Sequence, residues 1–313
     1  MNEAWVAARF VHFAAAIAAF GLGAFRLYAF AGEPAGEAPA RAVFDALLVR
    51  ITAVAALLAL ASAVAIIPFI AAEMAGSDTA ALDPATWHVV LGDTQFGHVW
   101  CWHLGFAVVL VALCFVSANP WQVAASTLAA LALLASLGLT GHAAMDMDGG
   151  VNHEINQMAH LTAAGLWIGG LLPLGLLLRR AVSPGSSAYI PLARAALPHF
   201  SLVGYVAVAL LVLTGAVNSV MLVGSFHAMV ATPYGRLLSV KIALFTAMIG
   251  LALVNRFRLL PQLRQSENPV VPLRALCRSV IAEQAIGLAI LAVVSVLGTW
   301  PPAIEGMASM AMH

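Results

Sequence analysis

Charge is what this sequence has least of. Only 9% of its 313 residues are Asp, Glu, Lys or Arg, and fourteen acidic groups balance fourteen basic ones. Soluble domains carry about a quarter of their residues as charges, and a chain that is 62% hydrophobic cannot hide so much apolar surface from water. The zero balance also lacks the basic footprint that nucleic acids select, so no nucleic-acid partner is expected. Cysteine is scarce: Cys101, Cys114 and Cys277 form no CxxC pair and read as small apolar packing groups. Cys101, flanked by His98 and His103, is the best candidate for a functional thiol. Catalytic signatures are missing too. There is no GxGxxG after a strand, no Walker A loop, no GxSxG and no HExxH. No nucleotide-hydrolysing domain and no enzyme activity are expected. A positive stretch before the first apolar run is also lacking, where Glu3 stands instead, so a cleaved signal peptide is not expected.

Long apolar runs are what the sequence has in excess. "ITAVAALLALASAVAIIPFIAA" (51–72) exceeds the roughly 18 residues that mark a membrane-spanning helix. Eight such spans are expected, near 5–30, 44–72, 97–118, 121–141, 153–178, 195–223, 236–256 and 279–300. The fold class is an all-α polytopic membrane protein built as a single transmembrane domain. Pro120 and Pro261 fall at expected span ends, where a missing N–H costs least. With the N-terminus outside, eleven arginines face inward: 26, 41, 50, 179, 180, 194, 256, 258, 264, 274 and 278. Arg9, Arg236 and Lys241 alone face outward. Basic residues accumulate on the cytoplasmic side, so both termini are expected outside, in the periplasm of a Gram-negative cell.

Polar residues then gather on the outer face. The segments 73–96, 142–152 and 224–235 and the tail 301–313 hold most of the Met, His and carboxylate groups outside the apolar runs, with His88 and His227 read as solvated loop or helix-end groups. His199 alone among ten histidines lies toward the inner surface. An internal repeat fits this map. "VHFAAAIAAFGLGAF" (11–25) pairs with "AHLTAAGLWIGGLLP" (159–173), and "TQFGHVWCWHLGF" (94–106) with "TPYGRLLSVKIAL" (232–244). His12 then corresponds to His160, and His98 and His103 to Arg236 and Lys241. Two parallel four-helix repeats are expected, about 5–141 and 153–300, related by an axis along the membrane normal.

The stretch "GHAAMDMDGGVNHEINQMAH" (141–160) concentrates the candidate ligands. His153 and His160 are seven residues apart, on one helix face. His12, His103, His142 and His160 sit near one level on four helices. An isolated histidine in a membrane helix is ordinarily a hydrogen-bonded packing residue, but several at one depth are what a metal or haem site between helices requires. The methionines suggest which metal. Met145 and Met147 lie in an outer loop, and Met307, Met310 and Met312 precede His313 in the tail. Thioethers there bury nothing, and soft sulfur with imidazole selects copper, as Cu(I) or Cu(II), over harder ions. The bland alternative is a loose tail with accidental methionines.

The pieces "TGHAAM" (140–145), "AHLTAAGLWIGGLLPL" (159–174), "TGAVNSVMLVGS" (214–225) and "TPYGRLLSVKIALFTAMIGLALVNRFRLLP" (232–261) resemble the copper resistance protein D family (CopD/PcoD). The resemblance covers almost the whole chain, and its most specific piece is "TPYGRLLxxKxALF". It implies a bacterial inner-membrane protein of copper homeostasis that works with a periplasmic carrier of the CopC type and takes up copper. The family pattern falls on His142, His160, Trp167, Asn218, Arg236 and Lys241. The expectation is a capture route. The outer Met and His groups receive the ion, and His142, His153 and His160, with His12, His98 and His103, hold it; Asn218 and Trp167 support the ligands. Rival readings are a b-type haem electron carrier using His12, His103 or His160, a copper sensor or sequestering subunit without transport, and a purely structural subunit.

Overall fold

In a computed structural model, residues 3–31, 38–116, 119–140, 150–185 and 187–304 are described. His142, Met145, Met147, Met307, Met310, Met312 and His313 therefore lie outside the described residues. Twelve α-helices follow in order: α1 (Glu3–Tyr28), α2 (Ala38–Ala75), α3 (Pro84–Asp93), α4 (Gln95–Cys114), α5 (Pro120–Ser136), α6 (Gly150–Ala164), α7 (Gly170–Ala181), α8 (Tyr189–Val223), α9 (Phe226–Ala231), α10 (Pro233–Val254), α11 (Leu260–Gln265) and α12 (Val270–Leu297). No strand occurs among the described residues. Among the described residues eight helical segments are long and apolar enough to cross a membrane. The fifth joins α6 and α7 through a π-turn at Gly165–Gly169, and the seventh joins α10 and α11 through a π-turn at Asn255–Leu259.

The seventh span thus runs on to Gln265, past the end that Pro261 suggested. A proline inside a helix lacks the N–H for the carbonyl one turn back. The wider π-turn just before Pro261 takes up that mismatch, and a second one precedes Pro173 in the same way. The segments expected as outer loops hold short helices. Asp83 caps α3 by accepting from the Ala85 and Thr86 amides, with Pro84 in the first turn. Ser225 caps α9 by accepting from the Ala228 amide. Both choices follow helix-start chemistry.

The two hairpins α3–α4 and α9–α10 are built alike. Thr94 caps α4 on the Gly97 amide at 2.9 Å while its hydroxyl donates to the Val90 carbonyl at 2.6 Å. Thr232 caps α10 on the Gly235 amide at 3.0 Å and donates to the Ala228 carbonyl at 2.7 Å. A Cβ at Gly97 would run into Val90 and Leu91, and one at Gly235 into Ala228 and Met229. Glycine is required at both corners because the preceding helix folds back against the backbone there.

Alanine-rich faces of α1, α2, α4 and α5 form one core, around Ala16, Ala56, Ala63, Leu110 and Leu133. The later spans form a second, around Trp167, Leu174, Leu192, Met248 and Leu276. Helix α1 serves both, through Ile17 and Phe20 in the first and Leu22 and Phe25 in the second. Small residues let membrane helices approach closely. At the crossing of α1 with the fifth span, a Cβ on Gly21 would overlap the Gly169 backbone. Apolar side chains left exposed on the spans, such as Leu57, Leu128, Leu202 and Leu213, suit contact with lipid.

Candidate metal site

Three observations build the site from α1, α2, α4 and α5, one side chain from each. His12 lies nine residues into α1 and His103 eight into α4. Both are therefore some 12–13 Å from the starts of their helices, and both rings are buried. The two Nε2 atoms stand 2.9 Å apart. On the far side of each ring is a hydroxyl: His12 Nδ1 meets Ser62 Oγ at 3.0 Å and the Ala59 carbonyl at 3.2 Å, and His103 Nδ1 meets Ser136 Oγ at 2.8 Å.

Those hydroxyls fix the tautomers. Ser62 Oγ donates to the Leu58 carbonyl at 2.6 Å, and Ser136 Oγ to the Leu133 carbonyl at 2.8 Å. With their own protons engaged, both serines accept from the imidazoles. A carbonyl such as that of Ala59 can only accept. Each Nδ1 therefore carries a hydrogen, and each Nε2 presents its lone pair to the other. Two facing lone pairs in a buried site require a positive species between them, a proton or a metal ion. The 2.9 Å separation is of hydrogen-bond length. A metal ion sits about 2 Å from each nitrogen, so it needs roughly 1 Å more. A metal-ligating imidazole usually donates its other N–H to an oxygen, and both rings have that arrangement.

Aromatic packing closes one flank. Trp100 stacks on His103 with centroids 4.7 Å apart and planes 15° apart, and its indole N–H donates to the Ala63 carbonyl at 3.2 Å. Phe96 stacks on the other side of Trp100, at 5.3 Å. The rings of His12 and His103 are themselves only 4.9 Å apart, which leaves no slot for a porphyrin between them.

His160 occupies a different place. Its Nδ1 meets Thr214 Oγ1 at 2.8 Å, and that hydroxyl donates to the Leu210 carbonyl. The arrangement repeats the His12–Ser62 contact between the first two spans. Where His103 completes the first group, Lys241, the only lysine in the chain, bears electrostatically on His160. Among the described residues Asn218 accepts from Asn156 at 2.8 Å and donates to Gln157 at 3.0 Å, tying α8 to α6. Trp167 packs edge-on to Phe245 at 6.0 Å, away from the histidine pair. His153 is buried near the start of α6, and His98 is exposed. Among the described residues no three His, Cys, Asp or Glu side chains gather as a metal cluster.

Sequence reasoning named His12 and His103 but missed Ser62, Ser136 and Trp100. The signal for the serines was available, since each is a lone hydroxyl in an apolar run, "LALASAVA" and "LLASLG". A polar group at that depth has a partner inside the bundle.

Residues 1–152 match the family model described as Copper resistance protein D-like, N-terminal domain, and residues 194–297 match Copper resistance protein D. The chain is 32% identical over 303 residues to Inner membrane protein YebZ of Escherichia coli (strain K12), covering 95% of this chain and 98% of that one. It is 31% identical over 314 residues to Copper resistance protein D of Pseudomonas syringae pv. tomato, covering 96% and 97%. Copper transport protein CutJ of Bacillus subtilis (strain 168) is 27% identical over 238 residues, 74% of this chain and 41% of that one. No solved structure matches.

Proposed function

This chain belongs to the copper resistance protein D family, and on that footing we propose that it binds copper between His12 and His103 and passes it on in copper homeostasis. The observation that carries this reading is the pair of inward-facing Nε2 atoms 2.9 Å apart, each ring anchored behind by a serine. On this reading copper is cargo rather than a catalytic cofactor. The site offers two neutral nitrogens and no carboxylate. Burying a charge costs more as the charge grows, so a monovalent ion suits the site better than a divalent one, and imidazole is a good copper ligand. The cargo is therefore Cu(I).

The family and the eight apolar spans among the described residues support a place in the bacterial inner membrane. The arginine bias favours both termini, and the histidine pair, on the periplasmic side. A periplasmic carrier of the CopC type would deliver the ion there, and His142, Met145, Met147, Met307, Met310, Met312 and His313 are proposed to receive it. The matched hairpins and the matched His–hydroxyl contacts support a chain made of two parallel repeats.

Copper analysis of the purified protein after Cu(I) loading tests the site. Wild type is expected to retain one tightly held ion, and the double variant His12→Ala, His103→Ala to retain none while still folding. Unchanged copper in the double variant would overturn the assignment. A Soret band in the purified wild type would promote the haem reading instead.

A further inference from the structure

The second half buries an acid that the copper reading does not use. Glu283, on α12, is only 2% exposed, and its Oε1 accepts from Asn255 Nδ2. Asn255 begins the π-turn of the seventh span. Its own Oδ1 is buried without a partner, as is Ser279 Oγ, one turn before Glu283 on α12. Glu283 and Asn255 line a cavity of about 100 Å³ together with Trp167, Tyr205 and Arg256, room enough for a few water molecules. Both π-turns among the described residues reach this cavity, one through Trp167 and the other through Asn255 and Arg256. Such turns recur at functional positions.

The cation in the cavity wall is not paired with Glu283. Arg256 and Tyr205 are the other ionisable groups in the cavity wall, and the guanidinium lies over the Tyr205 ring at 5.4 Å. The elements packed against α12 also carry Glu3, Arg9, His12, Arg26 and Tyr28 on α1, Arg179 and Arg180 on α7, Tyr234, Arg236 and, eight residues in, Lys241 on α10, Arg258 in the π-turn and Arg264 on α11; α12 itself carries Arg274, Cys277 and Arg278. Among the described residues Glu283 forms no ion pair. A carboxylate buried with a single amide donor is costly. A proton on it removes the charge and supplies a donor beside Asn255 Oδ1, the acceptor that lacks one.

We propose that Glu283 and Asn255 form a proton-binding site in the second half, filled and emptied from the arginine-rich end of the bundle. The step is simple: the carboxylate takes one proton from water to give the acid, and returns it when the cavity opens. No electrons move. This gives a chain without a nucleotide-hydrolysing motif an ion whose gradient can drive it. The proposal stands independently of the copper site.

The test is labelling of the purified full-length protein in lipid nanodiscs with dicyclohexylcarbodiimide, which attacks protonated carboxyl groups in apolar surroundings. Peptide mass spectrometry reads the modified residue. Glu283 is expected to be labelled, with the rate falling about tenfold for each pH unit once the acid is mostly ionised. Sodium and potassium are expected not to protect it. Absence of label on Glu283 at every pH, or a rate independent of pH, would overturn the proposal; protection by either cation would make the site a metal-cation site instead. Glu283→Gln is expected to lose the label yet keep its copper at the histidine pair, so the two readings fail separately.

Discussion

In the first half, an imidazole on α1 meets a hydroxyl on the second span and another imidazole on the third. In the second half, an imidazole on α6 meets a hydroxyl on the sixth span, and the seventh brings Lys241. The scaffold is the same and the third partner differs. Two facing nitrogen lone pairs attract a cation; an imidazole beside an ammonium repels one. On the proposed reading the first half holds copper. On the proposal for Glu283, the second half, which carries Lys241 in place of a second histidine, handles protons.

Making the halves alike is the strongest way to break that comparison. His103→Lys copies the second half into the first. Copper affinity, measured by competition with a Cu(I) chelator, should fall by more than the roughly 10–100-fold that loss of a supporting partner costs a metal site. Lys241→His does the reverse and should add one bound copper at His160; a count equal to wild type would show that the lysine is not what separates the halves.

Supporting hydroxyls sharpen the comparison. Ser62→Ala and Ser136→Ala each remove an acceptor behind a ligand ring, and each should weaken copper binding by about 10–100-fold. Thr214→Val, the same change in the second half, should leave copper binding unaltered. The junction of the halves comes next. Gly21→Ala drives a methyl into the Gly169 backbone and should cost about 1–3 kcal/mol, read as a lower thermal midpoint in detergent. Gly204→Ala, with open space around its Cβ position, should leave the midpoint unchanged.

The smallest effect should separate the two short helices by pH. Asp83 caps α3, and the Thr86 hydroxyl, followed by the Ala85 amide, holds its carboxyl below the usual carboxylate range. A depressed value means that the stabilisation is present above the unfolded group's ordinary pKa and is lost as pH falls through the folded one. Acidification should therefore increase hydrogen exchange in α3 before α9, whose cap Ser225 does not titrate in that range. Asp83→Asn should remove the difference.

The spans were legible because a membrane helix needs an unbroken apolar run, and hydropathy records that directly. Their ends were less so, as Pro261 shows, because a π-turn adds a residue that no hydrophobic period reveals. Within the site, the level of His12 and His103 could be read from residue counts along their helices. Their pairing could not, because it depends on which faces of α1 and α4 turn toward each other, and alanine-rich helices look alike on every side. His160 sat at a similar count and found other partners for that reason. Glu283 was the plainest missed signal: the one acid of α12, within a span, which the membrane tolerates only for a purpose.

The bare contact of Gly21 with Gly169 has the geometry of a fulcrum. Backbones that touch there without side chains can rock about the point but have little freedom to slide. His12 lies nine residues along the lever, about 13 Å away, so tilting α1 by roughly 4° swings its imidazole through the extra ångström a metal ion demands. On the proposed copper reading, the helix that carries the ligand would also be the one that makes room for the ion.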